Sequence, residues 1–127
     1  MMLAGAPRES VRLATSCAEN SAAAIDDAVR ELVDTFHRRN TDCPARAVSL
    51  VLFTATNDLR AAKPATAARR AGWSEAQFLC LAEMPTDDDV ALCIRALVFV
   101  QREGNAERLR PVYLRDAQRL RPDLVAD

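Results

Sequence analysis

Ile94-Arg95-Ala96-Leu97-Val98-Phe99-Val100-Gln101 is apolar on both of its alternating faces. A strand of that kind belongs in the middle of a sheet, where both faces are covered. Gly104-Asn105 ends it. One residue is out of keeping. Arg95 lies near the start, on the face it shares with Leu97 and Phe99. A buried cation without an anion is very costly, so this pattern calls for a carboxylate or a bound anion beside Arg95. Glu83, at the end of the preceding strand, is the nearest candidate. The plain structural reading is a fixed Arg95–Glu83 pair, or an arginine stem reaching the sheet edge.

Working outward, Ala76 to Leu81 reads as the strand before, and Val112 to Leu120, ended by Pro122, as the strand after. Thr86-Asp87-Asp88-Asp89 between strands reads as a capped, solvated turn, since it lacks the alternate spacing and closing Glu of a calcium loop. Upstream, Ala47 to Phe53 is a short apolar run, read as a buried strand. Asn57-Asp58 and Pro64 bracket a loop, Pro64 opens a short helix to about Arg70, and Gly72 ends it. Ser10 to Cys17 alternates, with Val11, Leu13, Thr15 and Cys17 on one face. A long helix follows, capped by Asn20 or Ser21, with Asp26 and Asp27 suited to its positive end. Ile25, Ala28, Val29, Leu32, Val33 and Phe36 form its apolar stripe. His37, Arg38 and Arg39 suit its negative end, and Asn40 is expected as a left-handed stop. The order β-α-β-α-β-β-β predicts one α+β domain over residues 1–127: a mixed five-stranded sheet packed by one long helix and one short helix.

Composition narrows the function. The chain has 127 residues and a formal charge of −1, without the basic excess of a general nucleic-acid binder. Of its 17 basic residues Lys63 is the sole lysine and the rest are arginines, the better fork for carboxylates. Cys17, Cys43, Cys80 and Cys93 have no C-x-x-C spacing and read as reduced thiols of a cytoplasmic protein. Met1 to Pro7 lacks the apolar core of a signal peptide, and no run approaches the ~20 apolar residues of a membrane span. His37 is the only histidine and ends a helix, which disfavours Ser-His-Asp chemistry. Three glycines leave no phosphate-cradling loop. No Cys/His/Asp cluster has metal spacing, so neither metal nor cofactor is expected.

Leu52-Phe53-Thr54-Ala55-Thr56-Asn57-Asp58-Leu59, Pro64-Ala65, Gly72-Trp73, Cys80-Leu81-Ala82-Glu83-Met84, Cys93-Ile94-Arg95, and Val112-Tyr113-Leu114 leading to Leu120-Arg121-Pro122-Asp123-Leu124 occur in this order. Together they resemble the motifs of the monofunctional chorismate mutases, a family of α/β-barrel-like trimers. The resemblance covers residues 52–124. The first forty residues align by pattern and set Arg12 where that family has an arginine. The resemblance implies that chorismate, a dianion, is rearranged to prephenate without cofactor, at sites between subunits of a homotrimer. Arg95 would donate to the ether oxygen of the breaking bond and to a carboxylate, and Arg12 would bind a carboxylate. Glu83 and the Cys80 region would hold the ring hydroxyl, and Tyr113 would contact the enolpyruvyl carboxylate. Arg69 and Arg121 would guide or close over the dianion.

The chain departs from the family at several points. Leu13 follows Arg12 where glycine is usual, Lys63 stands for an apolar aromatic, and Thr66 for a lysine. Asp87-Asp88-Asp89 replaces a glycine-rich turn, and Pro111 precedes Val112. Lys63 would then supply the missing cationic help at the mouth of the site. Lys63 and Leu79, near the ring-binding stretch, motivate a second reading: an enzyme for isochorismate or aminodeoxychorismate. A third is a non-catalytic trimeric module that binds a small ligand. Intact Arg12, Glu83, Arg95 and Tyr113 argue against the third.

Overall fold

Period-two alternation and one apolar helical stripe meet in a two-layer structure. In the computed structural model, residues 8–103 and 107–124 are described. Five strands, β1 (Arg8–Ser16), β2 (Val48–Ala55), β3 (Gln77–Ala82), β4 (Cys93–Gln101) and β5 (Val112–Tyr113), form a sheet in the order β3-β2-β4-β1-β5. β4 is central, as its two apolar faces predict, and runs antiparallel to both β1 and β2. β3 pairs parallel with β2, and β5 parallel with β1, so the sheet is mixed.

The long helix α1 (Ala22–Arg39) and the short helix α2 (Pro64–Arg70) feed one core with the sheet. All six stripe residues of α1 are buried, against Val11, Leu13, Val51, Phe53, Ile94, Ala96, Val98 and Val100. Ser21 caps α1 by accepting from the Ala24 N–H at 3.1 Å. Asn20 does something else: its Oδ1 accepts the N–H groups of Arg60 and Ala61, tying the helix entry to the loop before α2. Asp26 and Asp27 lie beyond the first turn and act as ion-pair partners, Asp26 of Arg30 and Asp27 of Arg115. Asn40 is no left-handed stop, since its φ is −123°. Its amide closes the helix instead, donating to the Phe36 carbonyl at 2.9 Å.

Trp73, just after Gly72 (φ +129°), is 1% exposed and stands edge-on to Phe36 with ring centroids 5.9 Å apart. Its indole N–H donates to His37 Nε2 at 2.8 Å. An indole can only donate, so Nε2 is the acceptor and the proton sits on Nδ1, which donates to the Cys43 carbonyl at 2.9 Å. The only histidine is thereby a strut between α1, the turn behind it and Trp73.

The last strand is far shorter than the alternation suggests. It stops at Tyr113, and Arg115–Leu120 is a 3-10 helix. The cause is Arg115, whose φ of +52° no strand accommodates. Its guanidinium reaches Asp27 at 3.1 Å and Glu31 at 3.0 Å on α1, and the Ser16 carbonyl at 3.2 Å. The Thr86–Asp89 turn is capped as read: Asp89 accepts from the Thr86 hydroxyl at 2.8 Å and from its N–H at 2.9 Å.

All four cysteines are free. Burial pushes the thiols of Cys17 and Cys93 up to about 11, and raises that of Cys43 too. Thiols held protonated and out of solvent react slowly. Iodoacetamide at mildly alkaline pH is expected to leave Cys17, Cys43 and Cys93 unmodified in the native protein and to label all three after denaturation. Native-state labelling of Cys93 as fast as a free peptide thiol, followed by mass spectrometry, would contradict the packing described.

Candidate active site

The sheet register assembles the site. Thr54 on β2 is the cross-strand partner of Arg95 on β4, Arg95 of Ala14 on β1, and Ala14 of Tyr113 on β5. One row therefore crosses four strands on the face away from the helices. In the adjacent row Leu52 on β2 partners Leu97, and Leu97 partners Arg12 on β1. Residues two apart share a face, so Arg12 and Arg95 point to the same side of the sheet from neighbouring strands. Glu83 arrives from the residue after β3, its N–H donating to the Ala55 carbonyl at 3.0 Å. Its Oε1 lies 3.3 Å from Arg95 Nε.

These side chains line an open depression of about 370 Å³, with Arg12, Leu52, Thr54, Leu81, Glu83, Arg95, Leu97 and Tyr113 in its walls. Beneath it Ala14, Val90, Cys93, Tyr113 and Ala117 form a small second core. Ala14, 1% exposed, is packed within that cluster beside Tyr113. A wider neighbouring groove of about 890 Å³ shares Arg12 and Leu97 but is otherwise walled by Ser10, Val11 and residues 107–111.

The expected burial of Arg95 is corrected. Its side chain is 45% exposed and that of Glu83 is 18% exposed. Leu79, Leu81 and Met84 are also exposed at 54%, 46% and 74%. The helices cover one face of the sheet only, and alternation in the sequence cannot tell which layer covers the other. An ion pair this open to solvent contributes little to stability. Arg95 is therefore not held there by the needs of the fold.

Other expected site residues fall in different places. Cys80 faces the main core and, with Arg60, Lys63, Pro64 and Ala82, borders a separate depression of about 650 Å³. Leu79 pairs with Leu52 and stands on the open face. Arg69 is on α2, its guanidinium 4.9 Å from the Phe78 ring centre, and is not among the residues around Arg95. Arg121 pairs with Asp123 at 2.8 Å, which holds its guanidinium above the usual arginine range. Within one subunit the structure brings together Arg12, Glu83, Arg95 and Tyr113, and Arg121 is not among the residues lining their depression. Lys63 and Cys80 are gathered elsewhere, and Leu79 and Arg69 belong to neither group.

Sequence reasoning gave Thr54 no role, although its hydroxyl donates to Glu83 Oε1 at 2.5 Å. The signal was present: a lone hydroxyl in the apolar run Val51-Leu52-Phe53-Thr54-Ala55. Among the described residues no three His, Cys, Asp or Glu side chains are gathered as a metal site requires, and no helix is long and apolar enough to cross a membrane.

Fold and site thus define a small α+β protein with two arginines, a carboxylate and a tyrosine grouped around one depression of its sheet. Residues 9–124 match the model of the family described as chorismate mutase type I. The chain is 37% identical over 114 residues to chorismate mutase AroH of Thermus thermophilus, covering 90% of this chain and 93% of that protein. It is 32% identical over 115 residues to chorismate mutase AroH of Bacillus subtilis, covering 90% of each. The structure of a chorismate mutase from Clostridium thermocellum superposes with a TM-score of 0.78 at 29% identity, over 87% of this chain and 97% of that one. The chain belongs to the chorismate mutase type I family, and its activity is the isomerisation that defines it.

Proposed function

We propose that Arg12, Glu83, Arg95 and Tyr113 form one wall of the site in which chorismate is rearranged to prephenate, and that a neighbouring copy supplies the other. The row Thr54–Arg95–Ala14–Tyr113, with Glu83 folded over it, carries this reading. The reaction breaks the ether C–O bond as a C–C bond forms within the same molecule. It calls for no external nucleophile and no net proton transfer. Two things lower its barrier: holding the compact conformer, and stabilising the charge that grows on the ether oxygen. Arg95 suits the second: its guanidinium lies beside Glu83, and its outer N–H groups, without a hydrogen-bond partner among the described residues, are left for the ether oxygen and a carboxylate. Arg12 and Tyr113 at the other end of the depression would take carboxylates, and Glu83 the ring hydroxyl.

An exposed apolar sheet face bearing Leu79 and Leu81, with exposed Met84 just beyond β3, is best explained by association with copies of the same chain. In a homotrimer the Lys63–Cys80 side of one subunit would close over the Arg95 wall of the next. That would unite the two groups of site residues that a single subunit keeps apart. Lys63 and Arg60 would then attract the dianion to the mouth of the site, and Arg69 and Arg121 would close over it. Four free cysteines suit a reducing compartment, the cytoplasm.

Purified protein should consume chorismate in preference to isochorismate and aminodeoxychorismate, with prephenate as product. Light scattering should report a trimer at the concentrations of the assay. Preference for either relative would move the substrate assignment, and an active monomer would overturn the shared site.

A further inference from the structure

Glu83 Oε1 accepts the Thr54 hydroxyl at 2.5 Å and lies in ion-pair contact, without a hydrogen bond, 3.3 Å from Arg95 Nε. Glu83 Oε2 has no hydrogen-bond partner among the described residues, nor has either outer nitrogen of Arg95. The backbone of Glu83 is pinned to Ala55, but within its own side chain only the Thr54 bond fixes how the carboxylate is turned.

We infer that Thr54 is a positioning residue: it ties up one oxygen of Glu83 so that the carboxylate stays beside Arg95 without closing a two-point fork on it, leaving Oε2 and the outer Arg95 N–H groups for substrate. A carboxylate and a guanidinium left to themselves prefer a two-point fork, with two parallel N–H···O bonds. That fork would consume an Arg95 N–H and the free Glu83 oxygen together. Thr54, directly across from Arg95 in the register, stands where it can prevent this. The inference rests on the site reading above, and it adds a residue that acts by setting how Glu83 and Arg95 are presented.

Thr54→Val is the test, because valine keeps the β-branched shape and strand preference and deletes only the hydroxyl. Hydrogen bonds to charged groups are worth enough that turnover of chorismate should fall about 10- to 100-fold, in kcat more than in KM. Thr54→Ser keeps the hydroxyl and should recover most of the loss. In a Glu83→Gln background, Thr54→Val should cost little more, since its effect runs through that carboxylate. A crystal structure of Thr54→Val should show Glu83 and Arg95 in a two-point pair; Thr54→Ala serves for the same readouts if the valine variant folds poorly. Unchanged kcat in Thr54→Val, an undiminished effect in the Glu83→Gln background, or a Glu83 carboxylate that has not turned would each overturn the inference. Absence of chorismate turnover in the parent protein would count against the site reading alone, and the crystallographic comparison would still judge Thr54.

Discussion

Arg95→Lys is expected to lower turnover of chorismate by about 10²–10³-fold while leaving the protein folded. Negative charge appears on the ether oxygen only as the bond breaks. A donor that meets it is therefore stronger in the transition state than in the ground state, and its loss falls on kcat. Lysine keeps the charge but has no planar fork to reach Glu83, the ether oxygen and a carboxylate at once. The structure sharpens this expectation. Within one subunit Arg95 is 45% exposed, so replacing it leaves no deeply buried charge unpaired there, and the fold of the subunit should scarcely lose stability even in Arg95→Ala. Steady-state kinetics beside a melting curve tests both halves. Near-normal kcat in a folded Arg95→Lys protein would reduce Arg95 to an ion-pair partner and end the mechanism proposed. A collapse in stability without loss of kcat in the folded fraction would have the same force.

The largest effect on stability should come from Trp73, far from the chemistry. Trp73→Ala is expected to cost about 3–5 kcal/mol, the range for emptying a buried aromatic site. That is a large part of the roughly 5–15 kcal/mol that holds a typical domain together. The ring is 1% exposed, packs edge-on to Phe36, and supplies the one donor to His37 Nε2. Trp73→Phe would restore most of the volume but leave that nitrogen without its donor, so it should lie between parent and alanine variant. Urea unfolding at a single protein concentration is the measurement, because assembly would make the midpoint concentration-dependent. A Trp73→Ala protein within about 1 kcal/mol of the parent would show that the His37–Trp73–Phe36 packing is not the strut described.

Most of the architecture is legible because it depends on local periodicity. The stripe from Ile25 to Phe36 has one face and needs one core; the run from Ile94 to Gln101 has two and needs the centre of the sheet. What the sequence does not disclose is set by partners distant along the chain. Val112 to Leu120 alternates like a strand, and Asp27, Glu31 and the Ser16 carbonyl, all more than eighty residues earlier, hold Arg115 in the conformation that ends it. Asn40 looks like a helix stop by type, yet its amide closes the helix through the Phe36 carbonyl and also donates to the Arg110 carbonyl at 3.2 Å.

The site was legible in the same measure. Arg95 and Glu83 stand out as a charge in an apolar strand and the nearest carboxylate. Arg12, Tyr113, Cys80 and Lys63 came from resemblance. Only the register shows that the first two share a wall with Arg95 while the others line a different hollow. Thr54 went unassigned because a hydroxyl in a strand is ordinary until its cross-strand partner is known.

β5 is only two residues long, so the ladder alone does not secure the segment that carries Tyr113. It is moored instead by side chains. Asn40 exchanges bonds with the backbone of Arg110, Asp42 accepts the Glu107 N–H, and Arg102 ties Glu9 to Asp42; on the far side Arg115 grips α1. None of these moorings touches the depression around Arg95. Substitution among them can shift Tyr113 by fractions of an ångström while the central strands, with Arg12 and Arg95, stay in place. If the proposed site holds, descendants of this sequence have one adjustable jaw and one fixed jaw, and selection for a differently shaped dianion would act on the first without dismantling the second.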